Sequence, residues 1–453
     1  MRLTQSQLSK NEGGETDKCS DMLAHLPHEV AIYILSLLTL EDVLCASLVS
    51  RHWNRLTTNP ALWHRLFFKR RGWRIRPDYI TSLLNNTALN AAHIPIIDWK
   101  ALYVGRHELD RRWFALKTKV CANTLAVPFS PKLARCKGHT NSVYCCAVCP
   151  PAPAWPHGYI ITGSRDWSIR IWDAASRECL ATLQQHQGSV LCMSYSNGML
   201  VSGSSDGTAC VWISETLSGR PCPAGTDHAN SPLFRARYQL SGHRAGILDI
   251  CFDKSWIVTA SRDGTLCVWH CHNGELVRVF REHGACVNAC SINHGRVASA
   301  ASNGTVYIWD PASGYVLQRL NGIRCGIATI QLSGAICLTG SSDKCIRIWD
   351  VTSGACIRMF WAHEQLVRTL CYDEDRQLLL SGGWDRKTRL WDLSRTLALE
   401  SHPTPVLLLE IGVHHTRVFH VQLDVTRILS ACEDHSLWIA DFGGQGIVTD
   451  MYT

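Results

Sequence analysis

The chain has 453 residues, of which 46% are apolar and 18% charged; it contains 17 Trp, and its formal net charge is +7. That length exceeds one ordinary domain and that apolar content fills a large core, which excludes a disordered or collagen-like chain. No apolar leader segment follows Met1-Arg2 and no run approaches the length needed to span a bilayer, so a soluble, multi-domain protein of the cytoplasm, the nucleus or both is expected, its 22 cysteines serving mostly as buried small hydrophobes.

Residues 1–22 are polar and read as a disordered tail. From 23 to 68 the pattern turns helical. Pro27 suits the first turn of a helix carrying Val30, Ile34, Leu37 and Leu38 at helical spacing. Thr39 with an acid three residues on, Asp42, reads as the cap of a second helix running through Leu44, Leu48 and Val49. Asn59-Pro60 caps a third, with Leu62, Trp63, Leu66 and Phe67. Three short helices are predicted. Some 45 residues bury so many large apolar side chains only against a partner, since exposed apolar surface marks an interaction site.

Through Leu26, Pro27, Glu29, Ile34, Leu40, Asp42, Leu48, Val49, Trp53, Leu62 and Trp63, this stretch resembles an F-box. The resemblance implies docking on a Skp adaptor, and through it on cullin and RING subunits. The adaptor-binding residues it implies are Leu26, Pro27, Ile34, Leu37, Leu40, Leu48, Val49, Trp53 and Trp63. F-box proteins that dimerise do so through helices ahead of the F-box; the residues ahead of it here show no amphipathic period, so a monomer is expected.

Residues 69–137 read as a helical linker. DWKALYVGRHELDRRW (98–113) alternates apolar and charged positions at helical spacing, leaving Trp99, Leu102, Tyr103, Leu109 and Trp113 to pack. Residues 64–137 hold 15 Lys and Arg against 4 Asp and Glu, a local +11 that leaves the rest of the chain at −4. The stripe Lys69, Arg70, Arg71, Arg74, Arg76 reads as a solvated face, because no nucleic-acid-binding motif accompanies it.

From 138 to 441 one phrase recurs: GSRDWSIRIWD (163–173) is copied six times, ending with ACEDHSLWIAD (431–441). Strand, tight turn and second strand are its local reading. Upstream of each copy a His precedes an aliphatic residue by four: His139/Val143, His186/Val190, His243/Ile247, His283/Val287, His363/Val367 and His414/Val418, with Ile323/Ile327 in the fifth unit. A period of about 40 residues built of short strands predicts propeller blades. Aligning Asp434 with the other turn aspartates puts Ala440, and not Trp438, at the tryptophan position.

The seven units resemble the WD-repeat family. The fold implied by both resemblances is an all-α F-box and helical linker followed by an all-β seven-bladed propeller over 138–453. Buried polar groups need partners, so His139, Ser164, Asp166 and Trp172 are expected to form a bonded line, as are His186, Ser204, Asp206, Trp212 and His243, Ser261, Asp263, Trp269. Ala301, Asn303, Ile323, Gly383, Cys432 and Ala440 interrupt that set in the later units, which are expected to lean on apolar packing. PPAPAWPH (150–157) and 213–233 read as inserted loops on one face. Cys146 and Cys149 form a lone CxxC inside a strand; with no second pair, neither a metal site nor a cofactor is expected.

Together the resemblances imply a non-catalytic receptor that captures a protein degron for an SCF (Skp-cullin-F-box) ubiquitin ligase; a ligase-independent scaffold and a nucleic-acid-associated propeller are the alternatives. The family's substrate face exposes the residue after the aliphatic and the residue before the turn aspartate. On that pattern Tyr144, Arg165, Arg262, Arg368, Trp384, Phe419 and Glu433 are the expected substrate-binding residues, densest on units six, seven and one. The degron implied pairs an apolar anchor with an acidic or phosphorylated residue.

Overall fold

The computed structural model describes residues 22–23, 25–70, 73, 97–118, 130–150, 158–214, 234–397, 404–412 and 414–443. Two compact units divide the chain: Met1–Arg71 with Ile96–Val104, and Gly72–Pro95 with Gly105–Thr453. The N-terminal tail to residue 21, the basic positions Arg71, Arg74 and Arg76, most of both inserted loops and residues 444–453 lie outside the described residues.

In the first unit the chain forms α1 (His28–Leu35), α2 (Leu40–Ala46), α3 (Arg51–Thr57), α4 (Pro60–Lys69) and the start of α5 (Trp99–Thr118). Thr39 Oγ1 accepts from the Asp42 N–H at 3.2 Å and Asn59 Oδ1 from the Ala61 N–H at 2.8 Å, which satisfies donors that a helix start leaves free. Four helices occupy 28–69, where three were predicted. The extra one, α3, begins at Ser50, whose hydroxyl accepts from the Trp53 N–H at 3.2 Å, and α2 stops at Ala46, short of Leu48 and Val49. Leu35, Val43, Leu56, Leu62, Phe67, Leu102 and Tyr103 fill the core. Trp63 anchors it, donating to the Thr57 carbonyl at 2.6 Å with its ring 5.6 Å from that of Tyr103.

The second unit is a propeller of seven four-stranded antiparallel sheets. The innermost strands are Val143–Cys149, Val190–Ser196, Ile247–Phe252, Val287–Asn293, Ile327–Ser333, Val367–Asp373 and Val418–Leu423; each contacts the next, and the last contacts the first. Closure is not in chain order. Lys132–Lys137, expected in the linker, is the outermost strand of blade seven, paired with Ser436–Asp441 from Lys132↔Asp441 to Lys137↔Ser436. The propeller thus begins at 132 rather than 138. Arg135 seals this pairing, with its guanidinium 2.6 Å from Asp434 and 5.1 Å from the Trp438 ring centre. Ala440 stands opposite Ile428 as Trp172 stands opposite Ile160, so it does hold the tryptophan position. The later part of α5 packs here: Leu109 and Trp113 enter the core of blades six and seven, Trp113 stacked 3.8 Å from Phe442 and donating to the Val425 carbonyl at 2.9 Å.

Each blade is pinned through a buried hydroxyl. In blade one, His139 Nε2 lies 2.7 Å from Thr162 Oγ1, which also accepts from Trp172 Nε1 at 2.8 Å, while His139 Nδ1 lies 2.9 Å from Asp166. Ser164, expected in this line, instead donates to the Asn141 carbonyl and accepts from the Asp166 N–H. A hydroxyl sits ten residues before the tryptophan position in all seven blades: Thr162, Ser202, Thr259, Ser299, Thr339, Ser381 and Ser430; Thr339 meets only the indole and Ser430 only the imidazole, and the other five bridge both. Blade six is as complete as the first three. Its His363 lies 2.9 Å from Asp385 and 2.8 Å from Ser381, and a Cβ on Gly383 would stand 2.5 Å from His363 Nδ1. In blade five Ile323 replaces the histidine with apolar contact, and Arg347 takes Asp343 at 2.6 Å.

Two outcomes follow from these pins. Thr162→Val keeps the volume but strands two buried partners, so it should cost about 3 kcal/mol, against about 1 kcal/mol for Ser164→Ala, read as urea midpoints. In blade four Asn303 stands in place of the turn acid and donates to the His283 carbonyl; the His283 imidazole meets Thr305 Oγ1 at 2.7 Å, and burial holds it down at about 4. As pH falls from 6.5 towards 4 the unfolded chain takes up a proton that native His283 refuses; stability is full above that window and drops within it by up to about 1.4 kcal/mol per pH unit. Asn303→Asp should raise the native pKa and flatten the decline in urea midpoint between pH 7 and pH 5.

Candidate functional site

The histidine pins draw the loop entering each innermost strand against the turn between the second and third strands, so both lie on one face of the propeller, the turn face. Just below it every innermost strand carries a bulge. The register skips one residue after the first, at Tyr144, Leu191, Leu248, Asn288, Ala328, Arg368 and Phe419. A bulge leaves its extra residue unpaired and re-aims its side chain. All seven are half-buried, rather than exposed as expected, and line a central channel of about 260 Å³.

One cation and one acid face each other's field in this channel. Arg368, on blade six, donates to the Ala328 carbonyl at 3.4 Å; burial pulls its guanidinium down from its usual pKa, and the Asp249 carboxylate opposes that pull. Burial pushes Asp249, on blade three, up to about 6, although the backbone N–H groups of Cys290 and Ile250 each donate to it at 2.9 Å. His420, on blade seven, is held down at about 4 by burial first and Arg368 second. Cys146 faces it across 3.4 Å, whereas Cys149 lies in the core between blades one and two. No group of three or more His, Cys, Asp or Glu disposed to hold a metal occurs among the described residues.

Blades six, seven and one meet around the mouth of the channel. The rings of Tyr144 and Phe419 lie edge to face, 4.9 Å apart. Trp384 is half-buried beneath the Arg417 guanidinium, 4.8 Å from its ring centre, and the Trp384 Nε1 is buried with no hydrogen-bond partner among the described residues. Glu433 is half-buried; its carbonyl accepts from the Ser142 hydroxyl at 3.2 Å, joining blade seven to blade one. Arg165 is exposed beside them, and Arg262 is exposed but stands apart on blade three. Arg417 was missed by reading only two positions per unit, although it immediately precedes Val418 in the same repeat.

On the helical unit the expected adaptor-binding residues divide. Leu48 is 85% exposed and Val49 64%, and Leu26, Pro27, Ile34 and Leu37 are exposed as well. Leu40 (8% exposed) and Trp63 (1%) belong to the core instead, and Trp53 is half-buried. Val30, Tyr33, Leu38 and Leu44 extend the exposed apolar surface. In α1 and just beyond, Val30, Tyr33, Ile34 and Leu37 follow the i, i+3, i+4, i+7 spacing of one helix face, the signal that would have found Tyr33. Among the described residues no helix is long and apolar enough to cross a membrane.

Two family models match this chain: the F-box-like model over residues 23–69, and the WD domain, G-beta repeat over 130–173, 177–212, 234–270, 274–310, 316–350 and 354–392. Cell division control protein 4 of Saccharomyces cerevisiae is 26% identical over 377 residues, which cover 82% of this chain and 42% of that protein. F-box/WD repeat-containing protein 7 of Drosophila melanogaster is 28% identical, covering 38% of this chain and 11% of its own length. A probable E3 ubiquitin ligase complex SCF subunit sconB of Arthroderma otae is 28% identical, covering 36% and 24%. The chain spans less than half the length of each of these relatives. The WD40 propeller domain of Doa1 superposes with a TM-score of 0.55 at 20% identity, over 68% of this chain and 96% of that one, which bears on fold alone. The three inner strands of blade seven, with Ala440 for tryptophan and Cys432 for serine, lie outside the six matched repeats yet complete the ring. With the helical module, the repeats and the geometry in agreement, this chain belongs to the F-box/WD-repeat family.

Proposed function

We propose that this chain is the substrate-recognition subunit of an SCF-type ubiquitin ligase, non-catalytic itself, whose helical unit docks a Skp adaptor and whose propeller captures a degron at the channel mouth of blades six, seven and one. The observation that carries the reading is the unpartnered apolar face of Leu26, Tyr33, Ile34, Leu37, Leu48 and Val49, on a unit whose own core is already filled by Leu40 and Trp63. Large exposed apolar surface marks an interaction site. That a relative carries the description of an SCF subunit supports the assignment of the partner. Cullin and RING subunits are reached through the adaptor, and the receptor acts in the cytoplasm, the nucleus or both as a monomer.

At the propeller, Tyr144, Phe419, Trp384 and Arg165 supply the large, amphipathic side chains that dominate binding hot spots, and Arg368 supplies a cation withdrawn from bulk water. The degron that suits them pairs an apolar anchor with an acidic or phosphorylated residue. Arg262 is too far round the ring to join the others.

Co-purification with the Skp adaptor tests the first half. Leu26→Ala with Pro27→Ala, and separately Leu48→Glu with Val49→Glu, should abolish adaptor capture while the propeller's thermal transition is unchanged. Wild-type capture by both double variants would overturn the assignment and leave a ligase-independent scaffold. Trp63→Ala should instead unfold the helical unit, costing about 3 to 5 kcal/mol. For the second half, Trp384→Ala should weaken substrate capture at least tenfold, the loss of about 1.4 kcal/mol or more expected of an anchor, whereas Ser205→Ala on blade two should not.

A further inference from the structure

The turn between the second and third strands of every blade ends in a residue with left-handed backbone. After the turn aspartate or asparagine the φ values are +70° at Trp167, +85° at Gly207, +81° at Gly264, +86° at Gly304, +73° at Lys344, +69° at Arg386 and +66° at His435. The hydrogen bonding explains the demand: the N–H of Trp167 donates to the Ser164 carbonyl and the N–H of Ser164 to the Ser168 carbonyl, a tight turn followed by a bulge position that glycine fills without strain. Blades two, three and four use glycine there. Blades five, six, seven and one do not, and they form one unbroken arc of the ring.

A bulky side chain at positive φ is a backbone outlier, held by the structure around it, and such outliers cluster where the side chain has a task. Packing is not the task in this arc. Trp167 is 54% exposed, and Lys344, Arg386 and His435 are exposed too. The arc overlaps the channel mouth, because Arg417 caps Trp384 from blade seven and Glu433 bonds to Ser142 of blade one. Its acids are already taken and its cations are not. The turn acids Asp166, Asp343, Asp385 and Asp434 are held by His139, Arg347, His363 and Arg135, and Lys387 holds Glu364 at 3.3 Å and Glu410 at 3.2 Å, whereas Lys344, Arg386 and the neighbouring Arg165 and Arg417 form no ion pair among the described residues.

Resting on the receptor reading above, we infer that Trp167, Lys344 and Arg386 are specificity-determining residues of the substrate face: an outer rim, displayed at strained turn positions, that takes an acidic protein segment carrying an apolar residue, with Trp167 covering the apolar residue and the two cations facing the acids. The rim lies outside the ring of bulge residues at the channel mouth, so it reads a part of the substrate that the mouth does not.

Glycine substitution separates this role from a structural one, because it relieves the backbone while removing the side chain. A phage-displayed random dodecamer library panned on the full-length chain provides the probes, synthesised with a fluorophore for anisotropy. The selected peptides should be net acidic with an aromatic or aliphatic residue. Trp167→Gly should weaken them at least tenfold, and Lys344→Gly and Arg386→Gly about threefold each, a loss that shrinks in 0.5 M NaCl as screening takes over. Arg244→Ala, which removes an exposed charge from blade three, should change nothing. The three glycine variants should keep or raise the thermal midpoint, by roughly 1 to 3 °C. Unchanged binding by Trp167→Gly, a neutral or basic peptide pool, an empty panning, or a fall in thermal midpoint that accounts for the lost binding would each overturn the rim. If Trp384→Ala abolishes binding while Trp167→Gly does not, the receptor reading stands and the rim alone falls.

Discussion

A hydroxyl shared between a histidine and a tryptophan is the interaction on which the propeller depends. Thr162 and its counterparts in blades two, three, four and six sit within a second strand, accept from an indole of the third, and meet the imidazole of the loop that enters the first. Three segments far apart along the blade are thereby held at one point, in a place with little water to offer an alternative partner. The imidazole's other nitrogen then reaches the turn acid, so that a core contact sets the position of a surface turn. The turn face inherits its geometry from a bond buried beneath it. Where the histidine is absent, in blade five, Ile323 packs into the apolar core and Arg347 takes the acid, so the turn is held from the strand side instead.

The bulges add the second constraint. A regular innermost strand alternates its side chains between the two neighbouring blades, which limits what it can turn to the axis. One unpaired residue per strand breaks that alternation at the same height in all seven blades, which produces a ring of Tyr144, Leu191, Leu248, Asn288, Ala328, Arg368 and Phe419. The ring's chemistry is thus free of the demands of blade packing. Its one arginine and its aromatic pair lie on adjacent blades, at positions that the core does not constrain, and a binding surface on a rigid scaffold needs that freedom.

Much of this was legible in the chain. Repeats at a fixed phase give the blade number, and even Ala440 in the tryptophan position of blade seven can be read by counting from Asp434. What escaped reading has physical causes. The strand Lys132–Lys137 pairs with a segment some 300 residues later, and no local pattern announces such a partner. Helix α3, RHWNRLT, is seven residues with no apolar period and is held by its Ser50 cap and by tertiary contact. Leu40 and Trp63 share the apolar character of Leu48 and Val49, and only packing separates the core from the surface. Ser164 drew attention because it lies in the repeated phrase, whereas Thr162, two residues earlier, carries the bond.

Closure and the candidate site coincide, and a physical reason connects them. A ring of blades must be sealed somewhere, and here the seal is the strand from the front of the propeller joined to blade seven, whose own third strand has lost its tryptophan. An Arg135–Asp434 pair and the Arg135–Trp438 stack compensate, holding the turn acid from the closing strand as well as from the blade. Glu433, Asp434 and His435 therefore owe their position to a contact between the two ends of the propeller chain, and the loop of blade one is bonded to the same turn through Ser142. Any event that loosened the closing strand would disturb the face of blades seven and one before it reached blades two, three and four. The face proposed to meet the substrate is thus the one whose order reports that the ring is shut.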